Sequence, residues 1–318
     1  MSAASIATAP AAARPELRTS MLGLVRGELR KIMHLRITWV LAAVMTVMVI
    51  GGQLLLISGK NNASQMASSP LQAYYSVMEG DIAIVRILTG IFIIILAAHV
   101  VGLEYQFGTI RVLVARGVGR LHLLGAKVAA LALVGLVALV VESLIELAFA
   151  WGLSLALAQG GQPWHALGAV FWANLRLYLF YLVLNLVVSL LLAVAAAVLG
   201  RSLAFGLAVG LSWFAVDNLL TIPLSLLERL TGSDFWAKLS TVLLGPTLNR
   251  LPDYILAPDH ETVTGTSGAV THTITVGGFG MQPLLSVSGG QALLVIGVYT
   301  AIFLAVAIGL TWRREILD

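Results

Sequence analysis

The sequence predicts an all-α polytopic membrane protein of six transmembrane helices. Three observations carry that reading. Of 318 residues, 59% are hydrophobic and 11% are charged, whereas soluble chains average about 25% charged. Mean hydropathy is +0.95, which leaves too little polar surface to cover a soluble domain of this length. Six apolar segments reach the ~20 residues a helix needs to cross a bilayer: roughly 38–58, 82–103, 128–158, 169–200, 202–221 and 291–312.

The elements follow in order. Residues 1–19 are rich in Ala, Ser and Pro and lack both a continuous apolar run and an early basic cluster. They read as a disordered cytoplasmic tail rather than a cleaved signal peptide. Residues 20–318 then form a single transmembrane domain. Its opening, 20–36, reads as an interfacial helix with Ser20 as N-cap. Met21, Leu24, Val25, Leu29, Ile32 and Met33 fall near one face, opposite Arg26, Arg30 and Lys31. The third span is too long to stand upright and is expected to tilt or break near Gly152. The fourth and fifth spans meet at a tight turn, Gly200-Arg201-Ser202. The segment 222–290 is the least membrane-like part, punctuated by Pro223, Pro246, Pro252, Pro258 and Pro283. Within it, Leu224–Leu230 and Phe235–Leu244 read as short interfacial helices. Residues 261–264 and 270–276 alternate around Gly265-Thr266-Ser267-Gly268, the pattern of a β-hairpin.

Loop charge sets the expected orientation. With the N-terminus inside, the inner side carries Arg14, Arg18, Arg26, Arg30, Lys31, Arg36, Arg111, Arg116, Arg120, Lys127, Arg201, Arg313 and Arg314. The outer side carries only Lys60, Arg229, Lys238 and Arg250. Both termini are therefore expected in the cytoplasm, with 222–290 outside. The net charge of +4 fits basic loops facing anionic lipid, and no nucleic-acid partner is expected.

Between the second and third spans lies Glu104-Tyr105-Gln106-Phe107-Gly108-Thr109-Ile110-Arg111, continuing through Arg116 and Arg120 to Lys127. A connecting loop needs only a few polar residues. This one adds four cations, an acid at its entry, and Ile110, Leu113 and Val114 at helical spacing. The pattern predicts an amphipathic helix over 104–124 at the cytoplasmic face, an element suited to docking on another protein.

That block, an acid followed by Gly-Thr-Ile-Arg and a basic run, resembles permease subunits of type-2 ABC transporters. The opening Gly27-Glu28-Leu29-Arg30-Lys31, then Arg36-Ile37-Thr38-Trp39 leading into the first span, resembles that family's usual start. The resemblance implies that 104–124 is a coupling helix seated in a separate ATP-hydrolysing subunit. Glu104, Gly108, Thr109, Arg111, Arg116 and Arg120 would be its contact residues. It further implies two ATPase chains, a second permease chain (a homodimer), and export across the cytoplasmic membrane of a bacterium. No cofactor is expected on this chain; ATP and Mg would sit on the partner.

Arg86, Glu142, Glu146, Arg176 and Asp217 fall inside the predicted spans, where a central charge costs at least ~2.5 kcal/mol. At ~1.5 Å per residue all five lie in the outer part of the bilayer. Glu142 and Glu146 share a helix face and are expected to pair with Arg86 or Arg176. The cluster reads either as structural ion pairing or as a polar vestibule for a substrate. On the fourth span, Asn174, Tyr178, Tyr181, Asn185 and Ser189 recur at helical spacing, the mark of a face turned to protein. Gly206 and Gly210 form a Gly-x-x-x-Gly pair that permits close helix approach. The resemblance puts that span at the seam between two permeases; packing within one chain is the alternative.

Other chemistry finds little support. Val287-Ser288-Gly289-Gly290-Gln291 looks like an ABC ATPase signature, but the chain has no phosphate-cradling Gly-x-x-x-x-Gly-Lys-Ser/Thr loop. Its six histidines are scattered without ligand spacing, and it has no cysteine, so a metal site is not expected. Two rival functions remain. One is a polytopic enzyme acting on lipid or peptide, which would stay active without any ATPase. The other is a non-transporting sensor or assembly subunit that binds ligand through 222–290.

Overall fold

The computed structural model describes residues 20–57, 69–115, 117–157, 167–265, 268–274, 285 and 287–313. It is an all-α polytopic membrane fold with one small hairpin. The chain enters through α1 (Met21–His34) and α2 (Arg36–Ile57). Next come α3 (Pro70–Ala97), a π-helical turn (Ala98–Gly102), α4 (Leu103–Gln106) and α5 (Thr109–Ala115). The long helices α6 (Arg120–Leu157) and α7 (Ala169–Gly200) follow, then α8 (Leu203–Leu219) and the short α9 (Thr221–Thr231) and α10 (Asp234–Ser240). Last are α11 (Leu244–Asn249), α12 (Leu251–Ile255), β1 (Asp259–Gly265), β2 (Gly268–Ile274) and α13 (Gly289–Arg313).

Among the described residues, five stretches are long and apolar enough to cross a bilayer: α2, α3 through α4, α6, α7 and α13. The pair α8–α9, bent by 42°, passes the same test jointly, as a broken span or a re-entrant loop. The hub is α7, packed on α3, α6, α8 and α13 and buried over most of its length, while α2, α6 and α13 leave most of their surface outward. Its Ala193–Val198 run is small enough to let neighbours close in.

The joints are made by side chains that take up orphaned helix ends. Leu35 alone separates α1 from α2, in extended backbone. The Thr38 hydroxyl donates to the Ile32 carbonyl and the Trp39 indole to Met33, each at 2.9 Å. The Ile37-Thr38-Trp39 entry thus caps α1 from the first turn of α2. Arg201 takes φ 49° in the turn from α7 to α8, and the Ser202 hydroxyl caps α8 by accepting the Phe205 N–H at 3.1 Å. The expected hairpin forms as Asp259–Gly265 and Gly268–Ile274, with Asp259 opposite Ile274 and Gly265 opposite Gly268.

Several expectations are corrected. Helix α3 starts at Pro70, well before 82, because proline suits a first turn, and Leu71, Ala73 and Tyr75 are buried despite intervening polar residues. Helix α6 passes unbroken through Gly152; a helical glycine costs only about 1 kcal/mol relative to alanine. Helix α10 ends at Ser240, short of Leu244. Of the prolines that punctuate the outer segment, Pro246 and Pro252 sit in the opening turns of α11 and α12.

Candidate functional site

The stretch 104–124 is not one amphipathic helix. Glu104 lies in α4, the continuation of α3, and Arg120 opens α6. Only the seven residues Thr109–Ala115 form a separate helix between them. Gly108 makes the break: φ 66° places it in the left-handed region, where a Cβ is unfavourable. The Thr109 hydroxyl donates back to the Glu104 carbonyl at 3.3 Å. Ile110 turns inward, whereas Phe107 is 71% exposed and Val112 also faces out. The Arg111 side chain and Arg116 lie outside the described residues.

Glu104 is buried, not displayed. Lys127, only 2% exposed, pairs with Glu104 at 2.7 Å and with Glu28 of α1 at 2.8 Å. Lys31 of α1 bonds Glu104 as well. Two acids and two cations close a neutral cluster across α1, α4 and α6, and buried charges persist where such neutralisation is available. Burial lowers the pKa of Lys31, the positive charge of Lys127 adds to this, and Glu28 opposes it. The sequence does hold a trace of the cluster. Glu28 sits one turn before Ile32 on the apolar side of α1, and both are buried.

Beside the cluster opens a cavity of about 80 Å³ lined by Glu104, Tyr105, Gly108, Arg120, Arg201 and Thr311, among others. The ends of α4, α6, α7 and α13 therefore meet at one end of the bundle. Here the π-helical turn touches the α7–α8 turn. A Cβ on Gly102 would lie 2.8 Å from Leu203 N and Cα, and the Gln106 side-chain oxygen accepts from the Leu203 N–H at 3.4 Å.

The intramembrane acids of α6 make hydrogen bonds to α2. Glu142 accepts from Thr46 and Glu146 from Gln53, both at 2.6 Å. These donors are on α2, and neither Arg86 nor Arg176 supplies them. Arg176 is exposed on α7. Arg86, 6% exposed, stands 5.9 Å over the Tyr181 ring and lines a small cavity with Asp217. The α7 polar stripe is buried throughout, Asn174, Tyr178, Tyr181, Asn185 and Ser189 alike. At the hairpin end the Asn174 amide donates to the Tyr75 hydroxyl (3.0 Å) and the Ala257 carbonyl (2.9 Å) and accepts from the Ala257 N–H (3.1 Å). The Tyr75 hydroxyl in turn donates to Asp259 at 2.9 Å. This chain ties the foot of the hairpin to α3 and α7, and sequence reading missed both Tyr75 and Asp259.

Gly206 and Gly210 are both buried inside the chain. A Cβ on Gly206 would lie 3.2 Å from Ala197 Cα, and one on Gly210 2.8 Å from Ile94 Cγ2. Their face is taken by α7 and α3, so the expected permease seam on these glycines is corrected to intrachain packing. The signature-like Ser288 is a helix cap, its hydroxyl accepting the Gln291 N–H at 3.2 Å.

No curated protein matches the chain. The family model described as ABC-2 family transporter protein matches residues 24–217, from α1 nearly to the end of α8. With multiple spans and a match over more than half its length, the chain belongs to the ABC-2 family of transporter proteins and is the membrane-spanning permease subunit of an ABC transporter.

Proposed function

We propose that this chain is the permease of an ATP-driven exporter in a bacterial cytoplasmic membrane, working as a homodimer with two ATPase chains that carry the ATP and Mg. The observation that carries the coupling part is the construction of the α5 end. Phe107 and Val112 stand exposed at its tip, while Glu104 just behind is locked to α1 and α6 through Lys127, Lys31 and Glu28. A force applied to α5 thus reaches three helices at once. The ends of α6, α7 and α13 with Arg120, Lys127 and Arg201 lie at this same end, which supports a cytoplasmic placement by the excess of cations. ATP-driven closure of the ATPase pair would push α5 and bias a two-state rearrangement of the spans.

The test is replacement of Arg111 and Arg116 with Glu in the assembled complex. Release of the ATPase, or ATP hydrolysis no longer responsive to the permease, is the expected result. Unchanged binding and coupling would reduce α5 to a lipid-facing loop. In the same reading, Arg176 and the outward surfaces of α2, α6 and α13 meet lipid, with the second permease covering part of those surfaces.

A further inference from the structure

At the junction of α3, α7, α8 and α11, Arg86, Asn185, Asp217, Asn218 and Asn249 line one small cavity of about 10 Å³. Arg86 and Asn185 are 6% and 1% exposed. Each asparagine has its amide nitrogen committed to a backbone carbonyl: Asn185 to Arg86 (3.2 Å), Asn218 to Phe214 (2.7 Å) and Asn249 to Asn218 (3.1 Å). A carbonyl can only accept, so these bonds fix which way the amides face. The three side-chain oxygens are left without a partner among the described residues, and so is Arg86 Nη1. Asp217 takes a backbone hydrogen bond from Gly245, where a Cβ would fall 2.0 Å from the Asp217 carbonyl oxygen. The α8–α11 contact is thus backbone on backbone and cannot slide to fill the space.

We infer that this cavity is a built hydration site: it binds a water molecule that accepts from Arg86 Nη1 and donates to two of the asparagine oxygens. The size fits, since a buried water needs roughly 10–15 Å³ and makes about three hydrogen bonds. The chemistry fits as well. One charged donor faced by carbonyl acceptors selects a group that both accepts and donates, which water does and an ion of either sign does not. The site also explains how a buried guanidinium is held beside Asp217 in an apolar span without closing onto it. It stands independently of any direction of transport.

Radiolytic hydroxyl-radical labelling of the permease–ATPase complex in lipid nanodiscs tests it, because bound water is the radical source for the side chains around it. Phe214, Leu192 and Leu248 line the cavity and are expected to be labelled several-fold more than Phe92 and Leu139, which are buried to a comparable degree within the apolar core. Asn249→Leu should abolish the excess at Phe214 while Trp39, exposed elsewhere, keeps its labelling. Arg86→Met is a second variant with the same expected loss. Labelling of the three lining residues no greater than that of Phe92 and Leu139 overturns the site, and so does an excess that survives both substitutions.

Discussion

Lys127 and Glu104 meet at 2.7 Å across the whole α5 excursion, so the two ends of the connecting segment are fastened to each other under the exposed tip. The same ammonium holds Glu28 at 2.8 Å. One lysine therefore joins the first helix of the chain to the second and third spans. Removing it takes a cation from both buried carboxylates, Glu28 and Glu104. Lys127→Met should lower stability by ~3–5 kcal/mol, the usual penalty of orphaning a buried ion. Adding Glu28→Gln and Glu104→Gln should recover a large part of that loss. Thermal unfolding in detergent checks both; a triple variant no more stable than the single one would show that the cluster is not held by charge balance.

The glycines of α8 test the corrected packing. Gly210→Leu drives a side chain into Ile94, and overpacking of this kind costs typically ~1–3 kcal/mol. Stability of the single chain should fall by that amount. Ala208→Leu, on an exposed face of α8, should leave it nearly unchanged. If Gly210→Leu instead spares the isolated chain and weakens only chain–chain association, the intrachain assignment of that face is wrong.

At the hairpin end, Tyr75→Phe removes the hydroxyl that donates to Asp259 and accepts from Asn174. Leaving these buried partners unmet should cost ~1–3 kcal/mol locally. Hydrogen exchange should quicken at Asp259–Gly265 and Gly268–Ile274 while the α7 core stays protected. Faster exchange spread evenly over the whole chain would mean that the tyrosine supports the bundle rather than the hairpin.

Much of this architecture is legible in the sequence because bilayer length, helical periodicity and loop charge are local signals. The spans, the Gly200-Arg201-Ser202 turn and the hairpin around Gly265 all follow from short stretches read alone. The contacts do not. Glu104 looks like a surface acid because its partners, Lys31 and Lys127, belong to other helices. Gly206 and Gly210 announce close packing without saying against what, and Ala197 and Ile94 answer only in three dimensions. Pro246 and Pro252 punctuate the outer segment without excluding helices there, since a proline breaks a helix interior but suits a first turn. Arg86 was found from its cost in a membrane, yet the asparagines around it come from three separate helices.

The carboxylates of α6 give the last prediction. An acid in a span was expected to seek a cation, but Glu142 takes its hydrogen bond from the Thr46 hydroxyl at 2.6 Å. The two partners are on α6 and α2, so the bond ties an outer helix to the bundle. A double-mutant cycle between Glu142→Leu and Thr46→Val should therefore give an interaction energy of ~0.5–3 kcal/mol, as residues in one hydrogen-bonded pair do. The parallel cycle between Glu142→Leu and Arg86→Met should be additive within ~0.5 kcal/mol, the behaviour of sites that share no partner. Glu142→Gln keeps an acceptor for Thr46 and should stay close to the parent, which separates loss of the bond from loss of the charge. Strong coupling to Arg86 with none to Thr46 would restore the ion-pair reading and remove α2 from the account.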